Sequence, residues 1–222
     1  MIAGCQDNGV KYKTFPGSYF NHIYCCDGAD ALINYSDVSE GYAVVNNRIK
    51  YFSNFTTASP INVASPGFFP EIELHSSDPT LMIYGWSSIT RYDSDLGTNT
   101  TLSFDEGWWA LKTCPSNSNR IYAAGGNAYY ATTGDMVVSS DGGSTWDEIS
   151  DNSGFPSSYP RISDINCRPT NSPQVWVTFS GYEDGTKVYY SGNTGTNWYN
   201  RSYDLPNIPV WCIEVDAGNN VY

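Results

Sequence analysis

Basic residues are scarce. The 222-residue chain carries 11 Lys and Arg against 23 Asp and Glu, a formal charge of −12, and a surface that neutralises a polyanion needs clustered cations, so nucleic acid is not an expected partner. Histidine is nearly absent: His22 and His75 stand far apart, and the six cysteines include no Cys-x-x-Cys pair, which argues against a zinc site. The acidic order of a calcium-binding helix–loop–helix is missing around Asp135, Asp141 and Asp151. Neither a metal nor a cofactor is expected. No apolar run approaches the roughly 18–20 residues of a membrane span, and Met1–Cys5 lacks a basic start or an apolar stretch of signal-peptide length, so no membrane span is expected. What the chain has instead is 20 Gly and 12 Pro dispersed among 18 Tyr and 7 Trp, a mixture that suits short strands and turns rather than helical bundles.

The cysteines are too few for a small disulfide scaffold, and their spacing selects no pairing. Cys25 and Cys26, followed by Asp27-Gly28-Ala29-Asp30, are not expected to join each other, because neighbours close a strained ring. Cys114 and Cys167 hold equivalent places in successive repeats. Equivalent points on neighbouring units usually lie beyond the roughly 4.4–6.8 Å between bridged Cα atoms, so both are expected as buried thiols. Asn-x-Ser/Thr sequons, among them those at Asn54, Asn99 and Asn200, are read as chance occurrences.

An internal repeat is visible. Ile121-Tyr-Ala-Ala-Gly-Gly after Pro115-Ser-Asn-Ser-Asn-Arg parallels Val175-Trp-Val-Thr-Phe-Ser-Gly after Pro169-Thr-Asn-Ser-Pro-Gln, with looser copies at Gly41-Tyr-Ala-Val-Val and Leu81-Met-Ile-Tyr-Gly. Each reads as strand, polar turn and strand. Further apolar stretches begin near Val10, Ile49, Ile89, Val137 and Val188, at separations of 39, 40, 48 and 51 residues. Periods of this size mark four-stranded propeller blades with loop insertions.

The sharper signal lies in two turns. Ser139-Ser140-Asp141-Gly142-Gly143-Ser144-Thr145-Trp146 reads S-x-D-x-G-x-T-W. Ser191-Gly192-Asn193-Thr194-Gly195-Thr196-Asn197-Trp198 repeats it 52 residues later with two amides substituted, and Asp93-Ser94-Asp95-Leu96-Gly97 is a weaker third copy. A short acidic or amide side chain accepts bonds from its own turn, Gly supplies the positive φ, and Trp buries its face against a neighbouring unit.

On these residues the chain resembles the Asp-box, or BNR-repeat, β-propellers of the sialidase, sortilin and xyloglucanase-like group. Gln6-Asp7-Asn8-Gly9, Val177-Thr-Phe-Ser-Gly-Tyr and Leu205-Pro-Asn-Ile-Pro-Val are similar to phrases in large exported bacterial surface proteins. The resemblance implies a secreted or cell-surface setting and an all-β propeller of four-stranded antiparallel blades. It also implies a structural role for Ser139, Asp141, Gly143, Thr145, Trp146, Ser191, Asn193, Gly195 and Trp198, at the blade periphery and away from the ligand face. At roughly 40–50 residues per blade the chain supplies about five, so residues 1–222 read as one propeller domain or as a propeller segment. The favoured expectation is a segment of a seven- or eight-bladed ring, with further blades in the same parent chain; the alternative is a five-bladed ring in which Tyr222 adjoins Ile2.

Chemistry is harder to find. A sialidase needs three arginines on a carboxylate, and of the six here only Arg161, in Tyr159-Pro160-Arg161-Ile162-Ser163, stands in a comparable phrase; that phrase reads as a blade linker and recurs as Ile208-Pro209-Val210-Trp211. Xyloglucanase-like hydrolysis needs two carboxylates across a cleft. Asp27, Asp30, Glu71, Glu73, Asp105, Glu106, Asp164 and Glu214 are available, but no spacing singles out a pair. Sugar rings stack on aromatic faces, which makes Trp109, Trp108, Trp86, Trp211 and Tyr182, with Tyr203, the candidates for a ligand face. The reading is a noncatalytic recognition or scaffold module of a secreted or cell-surface protein, binding glycan or extracellular protein on the ring face. The alternative is a xyloglucanase-like glycoside hydrolase.

Overall fold

Short apolar runs set off by Gly, Asn and Asp fold here as antiparallel strands. The computed structural model describes residues 1–14, 16–17, 19–57, 59–67, 70–103, 107–126 and 135–222. The chain forms two compact units, Met1–Trp86 with Thr90–Thr100 and Ser87–Ile89 with Thr101–Tyr222. Among the described residues there are 19 strands and no helix, and hence no helix long and apolar enough to cross a membrane.

In the first unit, β1 (Ile2–Cys5), β2 (Gly9–Tyr12) and β3 (Asn21–Tyr24) make a three-stranded sheet. Two four-stranded sheets follow: β4 (Gly28–Ile33), β5 (Gly41–Val45), β6 (Arg48–Phe52) and β7 (Ile61–Ala64), then β8 (Glu71–Leu74), β9 (Leu81–Gly85), β10 (Ile89–Asp93) and β11 (Thr98–Thr101), each in chain order. Strand β5 is buried along its whole length because both of its faces are covered: Tyr42 and Val44 pack with Ile72, Met82 and Tyr84, while Ala43 and Val45 pack with Val10, Tyr12 and Phe52. Stacked sheets thus explain why the strand reads as continuously apolar rather than alternating.

The second unit repeats the plan with β12 (Gly107–Cys114), β13 (Asn117–Gly126), β14 (Asp135–Ser139) and β15 (Asp147–Glu148), then β16 (Ile162–Cys167), β17 (Val175–Phe179), β18 (Val188–Ser191) and β19 (Tyr199–Asn200). Its core joins Tyr122, Ala124, Met136 and Val138 of one sheet to Ile165, Val177, Phe179, Tyr189 and Trp198 of the next. The chain then runs into a hairpin in which Val215 pairs with Val221; β1 pairs only with β2 in its sheet.

Turns repeat as faithfully as strands. Between first and second strands, Asp37 accepts from the backbone and hydroxyl of Ser39, and Asp78 does the same for Thr80. The polar stretch 115–120 is shorter as a turn than the sequence suggests, since Asn117–Arg120 already belong to β13.

The two tryptophan hairpins have the same internal wiring. Ser139 Oγ accepts from Gly143 N at 2.8 Å, and Asp141 accepts from Thr145 N at 2.9 Å and from Thr145 Oγ1 at 2.6 Å. Ser191 Oγ accepts from Gly195 N at 2.8 Å, and Asn193 Oδ1 from Asn197 N at 3.0 Å. Trp146 Nε1 donates to the carbonyl of Leu102 at 2.9 Å, and Trp198 Nε1 to that of Ile149 at 3.0 Å. Leu102 and Ile149 are each the residue that follows an outermost strand, β11 and β15. A Cβ on Gly143 would lie 2.8 Å from Leu102 Cδ1, and one on Gly195 2.6 Å from Ile149 Cδ1, so glycine is demanded by close approach as well as by φ of 93° and 78°. The Asp93–Gly97 turn differs. There Asp93 Oδ1 accepts from the amides of Asp95 and Leu96, and no tryptophan follows.

Both expectations about cysteine are corrected. Cys114 and Cys167 are buried but joined as a disulfide, with Cα atoms 5.9 Å apart. They end β12 and β16, which lie side by side as the first strands of adjacent sheets, so equivalent points of these strands come within bridging distance. Cys25 and Cys26 are also joined, in the connection between β3 and β4, where Cys26 adopts φ of 77°.

Candidate recognition edge

First strands of the second unit break register near their starts. The shift lies between Trp108 and Ala110 in β12 and between Ile162 and Asp164 in β16. A bulge re-aims the extra residue, and both extra residues reach the next first-strand segment: Trp109 Nε1 donates to Ile162 O at 2.9 Å, and Ser163 Oγ donates to Val210 O. The Arg161 guanidinium lies over the Trp109 ring at 4.7 Å, a cation–π contact. Trp109 is half-buried, whereas Trp108 is 1% exposed and presents no face to solvent.

The loop after β17 is pinned to the same place. Ser180 donates through both N and Oγ to Arg161 O, and Val210 N donates to Phe179 O at 3.1 Å. Lys187, fully buried, donates from Nζ to Gly181 O and Asn207 Oδ1, both at 2.8 Å. No sequence pattern marked Lys187, because a lysine in an apolar stretch reads as a solvated face. These ties gather the loop bearing Tyr182 (70% exposed) and the segment bearing Trp211 (67% exposed) beside the Trp109–Arg161 pair. Trp86 belongs to the first unit, half-buried, with its indole where a Cβ on Gly67 would stand. Tyr203, 79% exposed, lines a cavity of about 640 Å³ together with Trp176, Tyr190 and the Val210 and Cys212 that flank Trp211.

Three of the candidate carboxylates, Asp27, Asp30 and Asp164, accept from backbone amides. Asp164 accepts from Ile165 N at 2.8 Å with one oxygen and from Ile213 N at 2.9 Å with the other. Asp30 does the same in the first unit, accepting from Ala31 N and Ile72 N. Each ties its own first strand to the next. Burial raises the Asp164 carboxyl above the usual carboxylate range, and Glu214 pushes the same way, against the two amides and Lys112. Glu214, whose charge acts on Asp164, accepts from Asn166 Nδ2 at 3.1 Å. Asp27 accepts from Asp7 N, Glu71 and Glu73 lie on β8, and Asp105 and Glu106 lie outside the described residues.

No protein-family model and no curated protein matches the chain. Among solved structures it is similar to the GH74 enzyme of Niastella koreensis (17% identity, TM-score 0.72, covering 89% of this chain and 35% of that one). It is also similar to the GH74 xyloglucanase of Xanthomonas campestris (11%, 0.67, 94% and 36%) and to a chain of the mitotic checkpoint complex (10%, 0.69, 98% and 65%). The chain spans about a third of the length of these GH74 enzymes. At such identities the likeness establishes the fold, an all-β propeller of antiparallel blades.

Proposed function

We propose that the chain is a recognition module of the Asp-box propeller kind in a secreted or cell-surface protein, binding a glycan or an extracellular protein through the edge that carries Trp109, Arg161, Tyr182 and Trp211. The observation that carries this reading is the pairing of a cation-backed indole with two exposed aromatics on segments wired to one another. Such a surface stacks on the apolar C–H faces of sugar rings and does not repel a neutral ligand. The noncatalytic reading is supported by the shared wiring of Asp30 and Asp164, since a carboxylate holding two backbone amides is a strand tie rather than a free acid or base. Disulfides favour an oxidising compartment and so support export. Retention on a glycan array tests the reading: Trp109→Ala is expected to abolish retention, and unchanged retention would remove the stacking role.

A second reading, a xyloglucanase-like hydrolase, is favoured by the likeness to GH74 enzymes and by the closeness of Asp164 to Glu214. It expects release of reducing ends from xyloglucan, lost in Asp164→Asn; absence of release alongside retained binding leaves the recognition module.

A further inference from the structure

The connection between β3 and β4 carries the Cys25–Cys26 disulfide, which has no part in the recognition edge of the second unit. Its surroundings hold it in one shape. The chain passes so closely over the β1–β2 turn that a Cβ on Gly9 would lie 3.0 Å from the Cys25 carbonyl carbon, and one on Gly28 2.8 Å from Cys5 N. Asp27 then fastens two turns: its Oδ1 accepts from Asp7 N at 2.8 Å, its carbonyl accepts from Asn46 N at 2.8 Å, and its own N donates to Asn46 Oδ1 at 3.1 Å. Between these anchors Cys26 has φ of 77°, a left-handed backbone that a Cβ disfavours. The two disulfides of the chain therefore hold different things. Cys114–Cys167 spans 53 residues and is at most 1% exposed, so it restrains the unfolded chain and is shielded from a dissolved thiol. Cys25–Cys26 joins neighbours, and both cysteines are exposed. It closes no long loop whose entropy would stabilise the fold, and a nucleophile reaches it without unfolding. What this ring holds is the left-handed turn that leads into Asp27.

We propose that Cys25–Cys26 is an exchange site for low-molecular-weight thiols of the glutathione and cysteine class, and that opening it releases Asp27 from the two turns it fastens. An incoming thiolate attacks one sulfur of the pair and forms a mixed disulfide there; the Cys25–Cys26 bond breaks, and the other cysteine leaves as a thiolate that takes up a proton. A second small thiolate attacks the small-molecule sulfur of the mixed disulfide, which yields the oxidised small-molecule disulfide and the second cysteine thiol. Two electrons thus pass from two small thiols to the protein. Exposed disulfides are the labile ones because access governs exchange. Freed from the ring, Cys26 leaves the left-handed region and turns the chain that enters Asp27, so the amides of Asp7, Asp27 and Asn46 lose their partners.

The test treats the folded 222-residue chain with reduced glutathione, quenches with a maleimide at intervals and maps the peptides by mass spectrometry. Glutathione adducts and free thiols are expected at Cys25 and Cys26 about tenfold sooner than at Cys114 and Cys167, or earlier still. Once the pair is open, the backbone amides of Asp7, Asp27 and Asn46 are expected to exchange hydrogen about tenfold faster, while those of Gly143 and Gly195 in the other unit keep their rates. The double variant Cys25→Ser with Cys26→Ser is expected to take no glutathione in this loop and to show the same faster exchange; the glutathione-treated chain gives that reading even if the variant does not fold. Equal rates of opening at the two disulfides overturn the proposal. So does a bond from Cys25 or Cys26 to either free cysteine, Cys5 or Cys212, in the untreated chain, or amide exchange at Asp7, Asp27 and Asn46 that opening leaves unchanged.

Discussion

Gly195 and Gly185 provide a controlled measurement of how tightly the tryptophan hairpins dock. Both have left-handed backbone, φ 78° and 72°, but a Cβ on Gly185 meets nothing within 4 Å, whereas one on Gly195 meets Ile149 Cδ1 at 2.6 Å and Ile149 Cβ at 2.8 Å. Alanine at either site bears the left-handed backbone cost of about 1–2 kcal/mol. At Gly195 the whole Ile149 side chain must also move, since its Cβ is as close as its tip, which adds an overpacking cost of about 1–3 kcal/mol. Gly195→Ala should therefore destabilise by roughly 2–5 kcal/mol and Gly185→Ala by about 1–2, read as urea midpoints at constant slope. Ile149→Ala in the Gly195→Ala background should cost less than Ile149→Ala alone, because it removes the Cδ1 and Cγ2 contacts and leaves only the Cβ contact. Equal effects at the two glycines, or simple additivity with Ile149→Ala, would refute the close-docking argument.

Three further outcomes follow from the same geometry. Trp198, 3% exposed and edge-on to Phe155 at 5.0 Å, should cost about 3–5 kcal/mol as alanine, and more than half-buried Trp146; denaturant titration decides, and the reverse order contradicts it. The bonds from Thr145 and Ser139 hold the Asp141 carboxyl down to about 2, against 3.8 ordinarily. Its contribution is therefore complete above pH 4 and lost as pH falls towards 2, while the Asn193 hairpin does not titrate; NMR should show the Trp146 indole N–H exchanging faster on acidification and that of Trp198 unaffected by this group. Replacing Cys114 and Cys167 together by alanine opens a closure of 53 residues, worth up to about 4 kcal/mol, and non-reducing peptide mapping should find this pair linked in the protein.

The repeat and its turns were legible in the sequence because their causes are local. Serine, aspartate or asparagine, glycine and tryptophan at fixed offsets bond within a few residues of one another, and the two hairpins reproduce that wiring with Asp141 and Asn193 interchanged. Apolar phrases such as Gly41–Val45 declared buried strands for the same reason. Distances between repeats were another matter. The Cys114–Cys167 bridge follows from β12 and β16 lying side by side, which no spacing along the chain encodes. Of the Trp108–Trp109 dipeptide the sequence says that only one can enter a given interface, and the structure decided which, burying Trp108 and setting Trp109, at the bulge in β12, beneath Arg161. The tie made by Asp164 and the burial of Lys187 likewise depend on which segments meet. Local hydrogen bonding is written in neighbouring residues; proximity between sheets arises only when they stack.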